Sequence, residues 1–390
     1  MSLTFVVSTG RCGSTLLSRL LRANPDILSL SELFGLVSIE ERLAGRLDGR
    51  DFWHQLADPV PFIDAMARDG LAIPEFLYPY ATGRFAPETG VPFISHMTLP
   101  MLTDDPDHLY DRLAAVVPDW PARPVPDHYR HLFSLLSRKF GGSVIVERTG
   151  GSIRSVAHLR RAFPEARFIY LSRDGMDCAL SMSKHAGCRL PVLIEAARAR
   201  AGQRPPADQP AQPGTRFPTF DPKAIMGSGI PLASFGDFWS TMTVDGAVDL
   251  AGLPLDRWTS LRYEELLRDP AASLRRLAGF LGAASPPEWL SWAADQIEPA
   301  RAGASTALVS ADLDALRAAC SPGYAADEAL RTRHSSRAPA SVELPQDRDV
   351  HTTHRGRRRS DRAARRRRRW NRCRGGSAGA CRLRLRGCRG

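Results

Sequence analysis

Near the amino terminus, seven consecutive residues combine two glycines with one arginine and three hydroxyl side chains. They read Thr9-Gly10-Arg11-Cys12-Gly13-Ser14-Thr15. Glycines let a backbone approach a ligand closely, and the free N–H groups and dipole at a helix N-terminus favour anions. We therefore expect this stretch to bind a phosphate or sulfate group.

The residues on either side of the loop predict the elements that position it. Residues 5–7 are apolar and mostly β-branched, which is typical of a short buried strand. Leucines recur at helical spacing over residues 16–21, and Asn24-Pro25 ends that helix because the residue before a proline avoids the α region. The pattern is strand, loop and helix.

The order of residues within the loop limits the kind of anion site. A nucleoside-triphosphate loop requires Gly-Lys-Ser/Thr, and this triplet does not occur in the chain. Arg11 instead comes early and Ser14-Thr15 closes the loop, which resembles the 5′-phosphosulfate loop of sulfotransferases that use 3′-phosphoadenosine 5′-phosphosulfate (PAPS). An ordinary strand-to-helix turn with surface arginines is the alternative.

A second strand–helix–strand pattern lies at residues 143–185. Apolar stretches at 143–146 and 167–171 flank a predicted amphipathic helix at 153–163, which makes a right-handed parallel unit. Arg148 and Arg173 directly follow the two strands, at the edge where parallel sheets bind ligands. An arginine at this position favours neutralisation of the ligand by the protein rather than by a metal.

Two further motifs strengthen the resemblance to PAPS-dependent sulfotransferases. Ser181 follows Arg173 by eight residues, the spacing of the family's pair for the 3′-phosphate. Tyr263 begins a segment, 263–282, that resembles the family's Tyr-Glu-x-Leu…Pro…Leu…Phe-Leu-Gly pattern. Together with the loop, these matches extend over residues 5–282.

The resemblance implies an α/β fold with a P-loop-like parallel sheet flanked by helices. It also implies transfer of a sulfuryl group from PAPS to an acceptor hydroxyl, on a phenol, a sugar or a peptide tyrosine, without a metal. The residues that would bind the cofactor are Arg11, Cys12, Gly13, Ser14, Thr15, Arg173, Ser181, Tyr263 and Arg301. We interpret Cys12 as a small spacer, because nothing identifies a base partner for a nucleophilic cysteine.

The catalytic base has two candidates. Glu32 lies twenty-one positions after Arg11, the separation seen in protein-tyrosine sulfotransferases and related bacterial enzymes, and an exposed helix-starting acid is its alternative. His96 lies in a stretch similar to the Thr-His-Leu-Pro strand of histidine-using members, although the register differs. A core or loop histidine is the favoured interpretation of His96.

Two arginines are candidates for stabilising charge on the leaving group. Arg11 is the first. Arg148 is the second, because a lysine takes the corresponding strand end in the tyrosine-sulfotransferase-like branch; arginine keeps the charge but is a planar fork. A structural ion pair with Glu147 or Glu165 is the alternative for Arg148.

The charge distribution divides the 390 residues into two predicted parts. Residues 1–330 carry a net charge of −5 and should form the sulfotransferase domain, with a Pro/Gly-rich loop at about 201–231. Residues 331–390 carry +16, with 20 arginines and no lysine. We expect a disordered basic tail, and out-of-frame translation of a GC-rich gene or polyanion binding are further interpretations.

Other features limit location and partners. No signal peptide or stretch of roughly 18 apolar residues is present, so we expect a cytoplasmic protein with reduced cysteines and neither a membrane nor a specific nucleic-acid partner. Residues 35–140 and 186–240 should form the acceptor pocket, yet their aromatics fit a core equally well. A small-molecule kinase or a catalytically silent nucleotide-binding protein is the alternative function, and the sequence does not predict the oligomeric state.

Overall fold

The computed structural model describes residues 2–35, 38–71, 73–200, 221–298, 302–308 and 310–335. The strands are β1 (Ser2–Val7), β2 (Ile27–Ser31), β3 (Arg46–Leu47), β4 (Arg123–Pro124), β5 (Val144–Arg148), β6 (Arg167–Ser172) and β7 (Trp258–Arg262). Five of them form a parallel sheet in the order β2-β5-β1-β6-β7, and β3 pairs with β4 in a small antiparallel sheet. The predicted α/β class with a parallel sheet is confirmed.

Helices flank this sheet. They are α1 (Ser14–Arg22), α2 (Ile39–Leu43), α3 (Gly49–Ala57), α4 (Pro61–Arg68), α5 (Phe93–Leu102), α6 (Pro106–Ala114), α7 (Val125–Phe140), α8 (Val156–Ala162), α9 (Gly175–Ser183), α10 (Ala186–Arg200), α11 (Pro222–Gly227), α12 (Leu232–Ala251), α13 (Tyr263–Arg268), α14 (Pro270–Leu281), α15 (Pro287–Asp295) and α16 (Ser310–Ser335). Among the described residues, no helix is both long and apolar enough to cross a membrane.

The central strands are apolar along nearly their whole length because helices cover both faces of the sheet. In β1 every residue from Leu3 to Val7 is buried. The Phe5 ring packs 5.3 Å from that of Phe163 and 6.0 Å from that of Phe168, measured between ring centroids. This core holds the strand ends that carry the candidate site.

The predicted unit at 143–185 forms as a parallel strand–helix–strand arrangement. Its connection begins with a 3₁₀ turn, Ser152–Ser155, and continues as α8, which ends before Pro164. Since β1 lies between β5 and β6, with Val6 beside Arg148 and Val7 beside Tyr170, the three carboxyl ends meet at one edge. The loops that follow these strands therefore lie side by side.

The helix predicted after Asp269 has the expected ends. The Asp269 carboxylate accepts a hydrogen bond of 2.9 Å from Ala272 N, Pro270 takes the first helical position, and Gly282 ends α14 with a φ of +75°. Such a sequence of cap, proline and left-handed glycine specifies both ends of a helix locally. Its inward face carries Leu274, Leu277 and Leu281, as predicted.

Two predicted boundaries need correction. The domain boundary placed after residue 330 falls inside α16, which continues to Ser335 and packs on the domain; the Tyr170 hydroxyl donates a 2.9 Å hydrogen bond to Asp327 of this helix. The loop predicted at 201–231 is wrong for Pro222–Gly227, which form α11 with Asp221 as its cap. Residues 201–220 and 336–390 lie outside the described residues.

Candidate active site

The loop between β1 and α1 has an unusual backbone conformation. Its φ is +81° at Gly10, +56° at Arg11 and +82° at Gly13. A Cβ on Gly13 would lie 2.2 Å from the Tyr263 ring, so glycine is required there. Within the described part of the chain no side chain caps α1, and the first-turn N–H groups of a helix have no partner inside it. The loop therefore has the geometry of an anion site.

The Arg11 side chain is held at two points. Its Nε donates to the Ser181 hydroxyl at 3.2 Å, and its Nη1 donates to the Glu75 carboxylate at 2.9 Å. Ser181 lies on α9 and Glu75 between α4 and α5. The guanidinium thus bridges the loop to two other parts of the fold.

Arg173, at the carboxyl end of β6, reaches back to the same loop. Its Nη1 donates to the main-chain carbonyl of Arg11 at 3.2 Å, and its guanidinium carbon lies 4.9 Å from the centre of the Tyr263 ring. The structure therefore brings Arg11, Gly13, Arg173, Ser181 and Tyr263 together. The Ser181 hydroxyl contacts Arg11 rather than Arg173.

Asp177 connects Arg173 to a distant loop, a link that the sequence analysis missed. Its carboxylate accepts from Arg173 Nη2 at 3.1 Å, from Gly303 N at 2.7 Å and from Ser305 N at 2.9 Å. Burial opposes ionisation of Asp177, but the two backbone N–H groups and Arg173 lower its pKa. The loop that carries Arg301, one of the predicted cofactor-binding residues, is thus anchored here, although Arg301 itself lies outside the described residues.

On the other side of the loop between β1 and α1, which is called the phosphate loop below, Glu32 and Arg148 form a buried ion pair. Arg148 Nη1 donates to Glu32 Oε1, and Gly150 N lies 3.3 Å and 3.2 Å from the two carboxylate oxygens. Glu32 has a φ of +55°, and its N–H donates to the Arg148 carbonyl at 2.7 Å. The alternative for Glu32, an exposed helix-starting acid, is wrong.

Burial sets the protonation of the two acids near Arg148. It raises the pKa of Glu32, a shift that Arg148 opposes and Glu75 increases. It also raises the pKa of Glu147 to about 8, although the Thr149 hydroxyl donates a 2.6 Å hydrogen bond to that carboxyl group. Glu147 is therefore mostly neutral at pH 7, and Arg148 forms its ion pair with Glu32.

Among the described residues, Arg148 forms neither of the alternative ion pairs. Glu165 pairs with Arg130 at 2.8 Å, and the partner of Arg148 is Glu32. Arg148 Nε is buried and has no hydrogen-bond partner among the residues that the structure describes. Arg148 therefore has one buried donor that none of the described residues accepts.

Cys12 is buried within the loop. Its Sγ lies 3.1 Å from the Thr9 hydroxyl, 3.0 Å from the Gly10 carbonyl and 3.9 Å from Cys178 Sγ. The Cys178 thiol lowers the pKa of Cys12, an effect that burial opposes. These contacts are short-range packing of the loop against α9.

His96, the competing base, is a core residue on α5 rather than part of a strand. Its Nε2 lies 3.1 Å from the Asp64 carboxylate and its Nδ1 lies 2.8 Å from the Tyr80 hydroxyl. The ring is fully buried, and Phe76 packs 5.4 Å from it. Both ring nitrogens are thus used in holding α5 to the preceding segment.

Glu75 and His185 complete the cluster around Arg11 and were not predicted. His185 Nε2 lies 3.3 Å from Glu75 Oε2. Burial would raise the pKa of Glu75, but His185 and Arg11 lower it to about 2. Burial would likewise lower the pKa of His185, but Cys188 and Glu75 raise it to about 9. The sequence around Glu75 carries no motif that marks it, whereas the four-residue spacing of Arg173 and Asp177 could have revealed that pair.

The comparison with protein families adds independent evidence. Residues 4–191 match the family model described as the sulfotransferase family. The matched segment contains the loop at residues 9–15, Glu32, Arg148, Arg173 and Ser181.

Solved sulfotransferases align with this chain at low identity and with TM-scores below 0.5. The sulfotransferase domain from the Synechococcus PCC 7002 olefin synthase is 17% identical and has a TM-score of 0.39, with 81% of this chain and 93% of that chain covered. A sulfotransferase from Alicyclobacillus acidocaldarius is 16% identical with a TM-score of 0.38, and the alignment covers 85% of this chain and 95% of that chain. STF9 from Mycobacterium avium is 18% identical with a TM-score of 0.38, and the alignment covers 85% of this chain and 76% of that chain. No curated protein sequence matches the chain.

Proposed function

We propose that this protein is a sulfotransferase that uses PAPS as donor and transfers its sulfuryl group to an acceptor hydroxyl by in-line displacement. The observation that carries the proposal is the meeting of two arginines at the open N-terminus of α1. Arg173 Nη1 donates to the carbonyl of Arg11, and the Arg11 side chain extends from the same loop to Ser181 on α9. Two fixed guanidinium groups beside free helix N–H groups suit a ligand with anionic groups at both ends.

The donors that line this edge fit such a ligand. Arg148 Nε and the Ser172 hydroxyl are buried and have no hydrogen-bond partner among the described residues. Buried polar groups are normally satisfied, so unused donors at a strand edge favour a bound polar ligand. Arg148 is the last residue of β5 and Ser172 is the last residue of β6, and these two strands flank the phosphate loop.

The proposed contacts divide between the two ends of the donor. The backbone of the loop, with Arg11, Cys12, Gly13, Ser14 and Thr15, would hold the 5′-phosphosulfate. At the 3′-phosphate we propose Arg173, Ser181, Tyr263 and Arg301. When bound, PAPS supplies an electrophilic sulfur and a phosphate leaving group.

Glu32 is the proposed base. It would take the proton from the acceptor hydroxyl as that oxygen forms its bond to sulfur. A base must be ionised and yet basic, and burial moves the pKa of Glu32 upward while the Arg148 charge keeps the anion stabilised. The positive φ of Glu32 and its bond from Gly150 N fix the carboxylate.

Arg11 and Arg148 would stabilise the negative charge that grows on the bridging oxygen. Preorganised donors act strongly in a site from which water is excluded. Arg148 is almost fully buried and Arg11 is 23% exposed. Arg148 also provides the charge that a lysine provides in the branch that the sequence resembles, with a planar fork in place of a point charge.

The acceptor is proposed only as a hydroxyl-bearing molecule, such as a phenol, a sugar or a peptide tyrosine. Several aromatics of the predicted acceptor region serve the core: Trp53 and Tyr78 are buried, and the Tyr78 hydroxyl donates to Asp107 at 2.6 Å. Phe76, Tyr80 and Phe85 are half-buried and keep part of their surface available.

Calorimetric titration tests the donor assignment directly. We expect 3′-phosphoadenosine 5′-phosphate to bind the wild-type protein far more tightly than ATP with Mg²⁺. A screen of phenols, sugars and tyrosine peptides with PAPS that carries a radiolabelled sulfuryl group then identifies the acceptor class. Preference for ATP with Mg²⁺ would instead support the small-molecule kinase alternative, and binding without turnover on any acceptor would support a catalytically silent protein.

A further inference from the structure

Glu75 is a second carboxylate in the reaction centre, and the roles proposed above leave it unused. It comes from the segment between α4 and α5, and its side chain is only 14% exposed. It contacts Arg11 Nη1 at 2.9 Å and His185 Nε2 at 3.3 Å. It also lies near enough to Glu32 to raise the pKa of that residue.

A carboxylate at this position is electrostatically unfavourable for ligand binding. Like charges repel, and the repulsion is strong where burial lowers the effective dielectric constant. Glu75 stays ionised, because Arg11 and His185 lower its pKa to about 2. A permanent negative charge beside a pocket for an anionic donor weakens donor binding, so its benefit must come from another step.

The contacts of Arg11 show what that benefit is. The Nε of Arg11 donates to Ser181, its Nη1 donates to Glu75, and its main-chain carbonyl accepts from Arg173. Within the described part of the chain, no protein group accepts from Arg11 Nη2. Three anchors therefore fix the backbone and two of the three guanidinium nitrogens, Nε and Nη1, and leave Nη2 for the donor.

We propose that Glu75 is a positioning residue that orients Arg11 for the leaving group and is itself held by His185. The proposal rests on the function proposed above, since it needs Arg11 to act on the leaving oxygen. These buried contacts restrict Arg11 to one orientation, whereas an arginine side chain with four rotatable bonds would otherwise sample many. Small displacements of a positioned group lower the reaction rate strongly. His185 carries a positive charge at neutral pH, because its neighbours raise its pKa to about 9, and it offsets the charge of Glu75.

The test separates orientation from binding. Glu75→Gln keeps the size and one acceptor oxygen but removes the charge that fixes Arg11. We expect kcat to fall about 10- to 100-fold. The Kd for 3′-phosphoadenosine 5′-phosphate should stay the same or become lower, because a repelling charge is gone. Glu75→Asp should recover part of kcat. Glu195→Gln is the matched control, since Glu195 forms a 2.9 Å pair with Arg154 that is remote from these roles.

Two results would overturn the proposal. One is an unchanged kcat in Glu75→Gln. The other is a loss of kcat accompanied by equally weakened binding of 3′-phosphoadenosine 5′-phosphate, which indicates a merely structural residue. If Glu75→Gln does not fold, NMR titration of His185 in the wild type decides: a pKa near the ordinary 6.5, rather than about 9, shows that the pair does not form.

Failure of the proposed function is distinguishable from these outcomes. A wild-type protein that binds no 3′-phosphoadenosine 5′-phosphate and transfers no sulfate disproves the function. The His185 titration would still report whether Glu75 holds its partner.

Discussion

The proposed donor side and the proposed base side of the candidate active site are built by different means. On the donor side, backbone groups predominate: the left-handed loop at Gly10, Arg11 and Gly13, the first turn of α1, and the N–H groups of Gly303 and Ser305 on Asp177. On the base side, formed by Glu32, Arg148, Glu75 and His185, buried side-chain charges are paired with one another.

The difference predicts different responses to mutation. Backbone donors persist when a side chain changes, so single substitutions on the donor side should weaken binding and leave chemistry possible. A buried ion pair that loses one partner leaves an uncompensated charge, which is strongly unfavourable. Substitutions on the base side should therefore change turnover more than binding.

The largest expected effect comes from Glu32→Gln. The amide keeps the size and hydrogen bonding but cannot take a proton, so turnover should fall about 10²- to 10⁴-fold. Binding of 3′-phosphoadenosine 5′-phosphate should be retained, because Glu32 belongs to the base side. Steady-state kinetics with a working acceptor and calorimetry measure the two quantities, and normal turnover would remove Glu32 from the mechanism.

The pH profile tests the same carboxylate. If Glu32 is the base, as proposed, its ionised form is the active one, so kcat/KM should fall as the pH drops through its pKa. Burial raises that pKa, and the midpoint should lie above the ordinary glutamate value of about 4.3. The loss should be absent from the residual activity of Glu32→Gln; its persistence there would assign the titration to another group.

A smaller effect is expected from Arg173→Ala on the donor side. A charge-assisted hydrogen bond contributes about 1.5–3 kcal/mol, so the affinity for 3′-phosphoadenosine 5′-phosphate should fall about tenfold or more while the fold persists. Ser181→Ala should weaken binding less, because its hydroxyl is a neutral group that accepts from Arg11. Calorimetry on both variants gives the order, and unchanged affinity in Arg173→Ala would contradict the assignment.

His96→Ala should act on stability rather than on catalysis. Removal of the ring leaves the buried Asp64 carboxylate without one partner and the Tyr80 hydroxyl without another. A buried group left unsatisfied costs about 1–3 kcal/mol, so the free energy of unfolding should fall by that amount in chemical denaturation. The folded fraction should keep its kcat. A variant that is stable but inactive would restore the histidine as the base.

The sequence was sufficient for the elements that local patterns determine. Strand ends, the glycine loop and the caps of α14 each depend on residues close in the chain, so Arg11, Arg148 and Arg173 could be placed at one edge of a parallel sheet. The sequence analysis predicted neither α11 within 201–231 nor the extension of α16 to Ser335, because both depend on packing.

The base side could be predicted only in part. Glu32 was found through its distance from Arg11, but its pairing with Arg148 spans 116 positions. Glu75 lies 64 positions from Arg11 and 110 from His185. Such pairs are set by how α4, α5 and α9 pack, and no periodicity in the sequence reports a contact between side chains that far apart.

The smallest effect is expected from Cys12→Ser. Serine keeps a donor for the Gly10 carbonyl, 3.0 Å from the present Sγ, and a partner for Thr9. It also removes the thiol that lies 3.9 Å from Cys178. If Cys12 only fills the loop and provides its N–H, then kcat and the Kd for 3′-phosphoadenosine 5′-phosphate should each stay within about twofold. The groups that contact the thiol can hydrogen-bond the serine hydroxyl, which keeps the cost of burying that hydroxyl low. A large loss of turnover with intact binding would instead make Cys12 a nucleophile, and trapping of a covalent adduct by mass spectrometry would then be the decisive measurement. Because the backbone rather than this side chain forms the anion site, we expect the donor side to tolerate the change.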